Sequence, residues 1–206
     1  MSPRARSSAP RSATPIVAGL VLLGVFGTAV GLGQYLGLPA LPSLSSLGSN
    51  HADGKSMKAS APTLISIPSL GVRANVVEVG KTADGSIATP TRDPIGTAGW
   101  YGLGPSPGEV GSAVIVGHVD TANKPAVFQR LKELGAGKLI EVNRRDHRTA
   151  TFTVESVESF PKTSFPADRV FTTGDTSRLV LVTCGGPWIG GPLGYADNII
   201  VFAHLT

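Results

Sequence analysis

At positions 179–187 the chain reads LVLVTCGGP, and the architecture is read outward from this stretch. Four apolar residues run into Thr183 and Cys184, then meet two glycines and a proline. A run of this length, bounded by turn residues, is a buried β-strand that stops where the backbone opens. Cys184 is the only cysteine among 206 residues. Unpaired cysteine is among the most buried residue types, so a small core residue is one reading. A nucleophile held on a rigid strand end is the other, and it requires a base.

A second stretch has the same form. SAVIVGHVD at 112–120 is a branched apolar strand that runs into Gly117 and then His118. The other three histidines have weaker claims. His51 sits in a Pro/Ser/Gly-rich segment, His147 lies within RRDHR between two strand-like runs, and His204 is close to the last residue. A free thiol with a pKa of about 8.5 is only slightly ionised at neutral pH, and the thiolate is the nucleophile. An imidazole with a pKa of about 6.5 can take the thiol proton and later return it to a leaving amine. Cys184 and His118, each beside glycine at the end of its own strand, are therefore the candidate nucleophile and general acid/base. Either residue alone also fits a structural role.

Short β-type runs recur through the C-terminal part: TLISIP, NVVEV, SAVIVGH, KLIEVNR, ATFTVESVESF, RLVLVTC and NIIVFAHL. RRDHR joins two of them as a hairpin tip, which exposes His147. KPAVFQRLKEL differs, because Pro125 suits a first helical position and Val127, Leu131 and Leu134 recur at helical spacing. So many strands of moderate length predict a mostly antiparallel β fold, closed into a barrel with one or two short helices. There is no internal repeat, heptad pattern or phosphate-binding glycine loop.

The N-terminal part is different in kind. From Ser12 to Leu38 no residue is charged, and TPIVAGLVLLGVFGTAVGLGQYLGL is apolar nearly throughout. A membrane-spanning helix needs about 20 such residues, so a transmembrane anchor is expected at 14–36. Arg4, Arg6 and Arg11 precede it, which places the basic tail at 1–13 in the cytoplasm and the remainder outside. A cleaved signal peptide competes, with Ala29 and Gly31 as small residues near a processing site, but the apolar run exceeds a usual signal core. Residues 37–61 are rich in Pro, Ser, Gly and Ala without periodicity, the composition of a flexible stalk. The folded domain is expected at 62–206.

Charge and composition exclude several classes. The formal net charge is +4, and the three N-terminal arginines carry most of it, because no acid precedes Asp53. The folded part is close to neutral and lacks the basic face of a nucleic-acid binder. One cysteine excludes an intrachain disulfide framework and a zinc site built on several thiolates. No run of carboxylates suggests calcium, so neither a metal nor another cofactor is expected.

The segments AVIVGHVD, PAVFQRL, LVLVTCGGP and GYADNIIVFA resemble those of sortases, nearest to class F of actinobacteria. The resemblance spans the folded part, including AGWYGLGPSPGEVGSAVIVGHVD at 98–120. It implies a membrane-anchored cysteine transpeptidase with a closed barrel of about eight strands. Such an enzyme cleaves an LPxTG-type C-terminal sorting signal between Thr and Gly, holds the product as a thioester, and passes it to an amine of the cell-wall precursor. It implies that Cys184 is the nucleophile and His118 the general acid/base. The partners it implies are secreted proteins bearing that signal and the peptidoglycan precursor amine.

The sequence departs from the family at a third position. Many relatives read Tyr-Arg-Asp-Asn where this chain has Tyr195, Ala196, Asp197 and Asn198, and the last strand holds no arginine. Three replacements can be weighed. Arg178 shares the face of Cys184, but six residues of strand span about 20 Å. Arg92 lies in a loop that sequence cannot place. Asn198 has an amide donor of the type used in oxyanion holes, and it is the expected substitute. Thr183 and Trp188 are expected on the substrate groove, with barrel packing as the alternative for Trp188 and for Trp100. Asp120 either caps its loop or orients the imidazole. Two other cell-wall cysteine enzymes fit less well. L,D-transpeptidases carry a clustered Ser-His-Gly-Cys type motif that is missing, and NlpC/P60-type peptidases place cysteine before histidine. A membrane-tethered barrel that binds peptide without chemistry is the alternative outside enzymes.

Overall fold

The computed structural model describes residues 56–91, 96–121, 124–191 and 194–206. The basic tail, the apolar segment at 14–36, Arg92, His51 and most of the 37–61 segment lie outside the described residues. Among the described residues, no helix is long and apolar enough to cross a membrane.

Ten strands follow in chain order: β1 (Pro62–Ile67), β2 (Val72–Val79), β3 (Ala98–Tyr101), β4 (Gly111–Val116), β5 (Asp120–Thr121), β6 (Lys124–Pro125), β7 (Leu139–Arg144), β8 (Thr149–Pro161), β9 (Ser177–Gly190) and β10 (Gly194–Leu205). Eight of them close a barrel in the order β1-β2-β3-β4-β9-β10-β8-β7, while β5 and β6 form a separate two-stranded ribbon. Most neighbours are antiparallel. The β2–β3 and β4–β9 pairs are parallel.

The β4–β9 pair explains why AVIV and LVLV are continuous rather than alternating. Ala113 and Ile115 of β4, with Leu179 and Leu181 of β9, face the interior beside Ile65, Val142 and Phe152. Their neighbours Val114, Val116 and Val180 face outward, yet a second cluster buries them with Ile200, Phe202 and Tyr101. Val170, from the short helix α1 (Ala167–Val170), completes that outer layer. Parallel strands covered on both faces require apolar side chains at every position.

Three local expectations need correction. The helix read over KPAVFQRLKEL does not form. Pro125 lies in β6, and a turn leads instead to a short 3-10 segment, Leu131–Glu133. The apolar spacing still has a purpose, because Val127, Phe128, Leu131 and Leu134 are all buried in the barrel core. Burial, not helical hydrogen bonding, is what their spacing satisfied. Second, β3 (AGWY) was not read as a strand: it has four residues, one a glycine, and its burial is continuous.

Third, residues 57–61, read from composition as the end of the stalk, are bound to the barrel. The Met57 amide donates to the Gly108 carbonyl at 2.7 Å, and the Arg145 amide donates to the Ala61 carbonyl at 2.8 Å. Arg144, whose side chain is fully buried, donates to the carbonyls of Pro107 and Lys58 and pairs with Asp146 at 3.1 Å. These are largely backbone contacts, to which side-chain composition is blind.

The RRDHR tip is a hairpin turn between β7 and β8, with His147 exposed at φ 64°. Its Asp146 has a carboxyl held below the ordinary range, first by the hydrogen bonds from Arg144 and further by the Arg148 amide. A depressed folded-state pKa adds stability above the unfolded value, near 3.8, and that stability is lost as pH falls below it. Asp146→Asn is expected to flatten this acid limb in urea titrations run between pH 5 and 2. Arg144→Met leaves the buried Pro107 carbonyl and the partly buried Lys58 carbonyl without this donor, so it is expected to cost about 1–3 kcal/mol and to speed hydrogen exchange at the Met57 amide.

Candidate active site

β4 and β9 run side by side in the same direction, with Val116 paired to Val182. The ladder continues one step further, where the Gly117 amide donates to the Val182 carbonyl at 3.1 Å. His118 and Cys184 are each two residues beyond that last pair. His118 lies in the segment that leaves β4, its carbonyl accepting from the Phe128 amide at 3.0 Å, while Cys184 stays within β9. Both share alternation with the outward-facing Val116 and Val182, away from the sealed interior.

Gly117 has a steric role in this arrangement. A Cβ there would lie 2.5 Å from the Phe128 ring and 2.7 Å from Val127, the residues that pack under the end of β4. The chain can turn at His118 only because that space is free for them. The His118 imidazole is half-buried, and its Nε2–H donates to the Pro90 carbonyl at 2.9 Å. That bond fixes the tautomer of the neutral ring and leaves Nδ1 as the acceptor.

Cys184 is half-buried and lines a cleft of about 240 Å³. Thr183, Gly185 and Gly186 continue the lining on its own strand, with Asp120, Lys132 and Tyr195 around the rim. Val119 and Asp120, the two residues after His118, form part of this wall; the imidazole itself does not line it. The glycines are required by close approach. A Cβ on Gly185 would press on the Ile199 side chain, and one on Gly186, at φ 74°, would meet the Asp197 carboxylate.

The other sequence-derived residues are placed as follows. Asn198 on β10 is the direct cross-strand partner of Cys184. Ala196 lies where the β9–β10 register shifts, between Tyr195 and Asp197. Thr183 is 4% exposed and its hydroxyl has no hydrogen-bond partner among the described residues. Trp188 is 67% exposed and meets Tyr195 edge to face, with ring centroids 5.1 Å apart. Trp100 is core, its indole N–H donating to the Pro105 carbonyl at 3.0 Å. Arg178 is ion-paired with Glu155 at 3.2 Å, far along β9 from Cys184, and the His204 Nδ1 on β10 lies 3.2 Å from the same carboxylate.

One contact at the site was not read from the sequence. The Tyr195 hydroxyl donates to Asp120 across the cleft, joining the start of β10 to the segment that follows His118. Among the described residues the Asp120 carboxylate is held by this phenol, and the His118 Nε2 by Pro90. These residues are 75 apart in the chain, so no local signal announces their pairing. The bond favours the neutral phenol, and with desolvation and the nearby Asp120 and Cys184 it pushes the tyrosine above its ordinary value of 10.

Spectrophotometric titration is expected to show one tyrosine ionising later than a free phenol, and Asp120→Asn is expected to bring it back toward 10. Gly186→Ala is expected to destabilise the fold by about 1–2 kcal/mol, measured by urea unfolding, because a side chain is forced into left-handed backbone.

The fold and the sequence have matches among known proteins. A sortase-domain family model matches residues 65–206. Sortase A from Corynebacterium diphtheriae (lid mutant) is similar in structure, with a TM-score of 0.55 and 18% identity over 79% of this chain and 76% of the other. So is sortase C-1 from Actinomyces oris, with a TM-score of 0.55 and 17% identity over 82% and 84%. The pilus-related sortase C of Group B Streptococcus gives a TM-score of 0.53 and 16% identity over 74% and 70%. No curated protein sequence matches this chain. At these identities the structures speak for the fold, while the domain match extends over most of the chain and includes Cys184 and His118. The chain belongs to the sortase family, the cysteine transpeptidases built on a closed eight-stranded β-barrel.

Proposed function

We propose that this protein cleaves an LPxTG-type sorting signal between Thr and Gly through a thioester on Cys184, then transfers the acyl group to an amine of a cell-wall precursor. The observation that supports this reading is that His118 and Cys184 each follow the parallel β4–β9 pairing by two residues, with the thiol in a cleft whose wall includes Val119 and Asp120. In the first step the His118 Nδ1 takes the thiol proton as Sγ bonds to the scissile carbonyl carbon. The oxyanion collapses, the C–N bond breaks, and Nδ1 returns the proton to the leaving amine. The acceptor amine then attacks the thioester, gives its proton to Nδ1, and releases Cys184. The Pro90 carbonyl, by holding Nε2–H, keeps the ring in the tautomer this shuttle uses.

Asn198, paired with Cys184 across β9 and β10, is assigned as an oxyanion donor, and Thr183 and Trp188 as contacts to the extended peptide. Residues 14–36 are assigned as a membrane anchor with the basic tail on the cytoplasmic side. The stretch from 37 to the attached residues 57–61 is the spacer, and 62–206 the extracellular catalytic domain, of the class F type by its motifs. This places the enzyme where secreted substrates and wall precursors meet.

A second reading is favoured by one feature. Ala196 stands where many relatives carry an arginine, and this suits a tethered barrel that binds the peptide without cleaving it. Intact-mass spectrometry of the protein with an LPxTG peptide separates the two. A thioester on Cys184 that an added amine discharges into a transpeptidated product is the expected result. Bound peptide with no adduct establishes the second reading. His118→Ala is expected to slow adduct formation by about 10²–10⁴-fold. Asn198→Ala is expected to slow it less, and an unchanged rate removes that residue from the assignment.

A further inference from the structure

The geometry points to Lys132 as the cation of this cleft, the side chain that draws in the scissile carbonyl and stabilises the oxyanion formed on attack by Cys184. The assignment rests on the acyl-transfer reading above. Attack by a thiolate places a full negative charge on the carbonyl oxygen, and donors already aimed at that position are a large part of acyl-transfer catalysis. Asn198, assigned above as an oxyanion donor, is a neutral amide, and the other side chains near Cys184 can be examined in turn. The Tyr195 hydroxyl is committed to Asp120. Arg178 is committed to Glu155 and lies six residues back along β9. Ala196 offers only a methyl group at the register shift of β10. Gln129 lines the cleft as a neutral amide.

Lys132 is the one cationic side chain among the described residues that line the cleft with Cys184. It makes no hydrogen bond or ion pair among them, whereas its neighbour Glu133 is already taken by Arg130 at 2.7 Å. Its backbone is fixed, because Leu131 and Leu134 on either side of the short 3-10 segment are buried in the barrel core. The side chain above that fixed base is exposed, and its ammonium rides on a flexible four-carbon stem, so it can follow the oxygen from carbonyl to oxyanion.

Two measurements test this. The first needs no peptide. Cys184 is alkylated with the anion iodoacetate and with neutral iodoacetamide, and the ratio of the two rates reads the charge at the sulfur. Lys132→Met is expected to lower that ratio several-fold and Lys132→Arg to restore it; an unchanged ratio overturns the assignment. The second is the rate of thioester formation with an LPxTG peptide. Loss of one oxyanion donor costs about 10²–10³-fold, so Lys132→Met is expected to fall in that range, with Lys132→Arg recovering most of the rate. A Lys132→Met rate close to that of the unaltered protein overturns the assignment and leaves the acyl-transfer reading intact. A loss confined to peptides that carry an acidic residue overturns it in favour of side-chain recognition. An unaltered protein that forms no thioester overturns the acyl-transfer reading itself, and the oxyanion role with it.

Discussion

The parallel pairing of β4 with β9 is the constraint on which the rest of this structure depends. It is one of the two seams at which the parts of the barrel sheet meet, β1 through β4 on one side and β9, β10, β8 and β7 on the other, the second being the antiparallel β1–β7 pair. Both of its faces are covered, inward by the barrel core and outward by the layer that includes Val170, Ile200 and Phe202. Such a pair cannot slip by one residue without exchanging its two apolar faces, each matched to different neighbours. The register is thereby fixed along the whole ladder, up to Val116 and Val182. His118 and Cys184 each follow that ladder by two residues, so the site is the continuation of a packing solution.

Beyond the ladder the backbone needs space rather than bulk. Gly117 leaves room for Phe128 and Val127 beneath the histidine, and Gly185 and Gly186 leave room for Ile199 and Asp197 beside the cysteine. Small residues on both strand ends let the neighbouring segments approach. The same approach brings Asp120 onto Tyr195 and the Leu131–Glu133 segment to the rim of the cleft. Electrostatics follow from this packing. Within the rim one carboxylate is tied to a phenol, and one ammonium is left uncommitted.

Seven of the eight barrel strands could be read directly, because each has an apolar run bounded by turn residues. β3 could not, since AGWY is short, contains glycine, and takes its identity from the strands on either side. KPAVFQRLKEL shows a different limit. Spacing that fits a helix also fits any segment whose alternate turns point inward, and here a turn and a 3-10 segment bury the same residues. The attachment of residues 57–61 by Arg144 and by backbone amides left no trace in composition.

By itself the sequence determined seven of the barrel strands, the absence of a disulfide framework, the near-neutral folded part, and the runs that carry a thiol and an imidazole. Those are properties of residue type and of spacing along the chain, and local physics is enough to read them. The sequence did not determine where the thiol-bearing run ends, since β9 continues through Cys184 to Gly190. Only the tertiary structure decided which residues share the cleft with Cys184: Tyr195 on Asp120 from 75 positions away, and Lys132 from a segment read as a helix. Contacts of that kind exist only once the sheet has closed, because closure, and no local preference, sets which remote segments face one another.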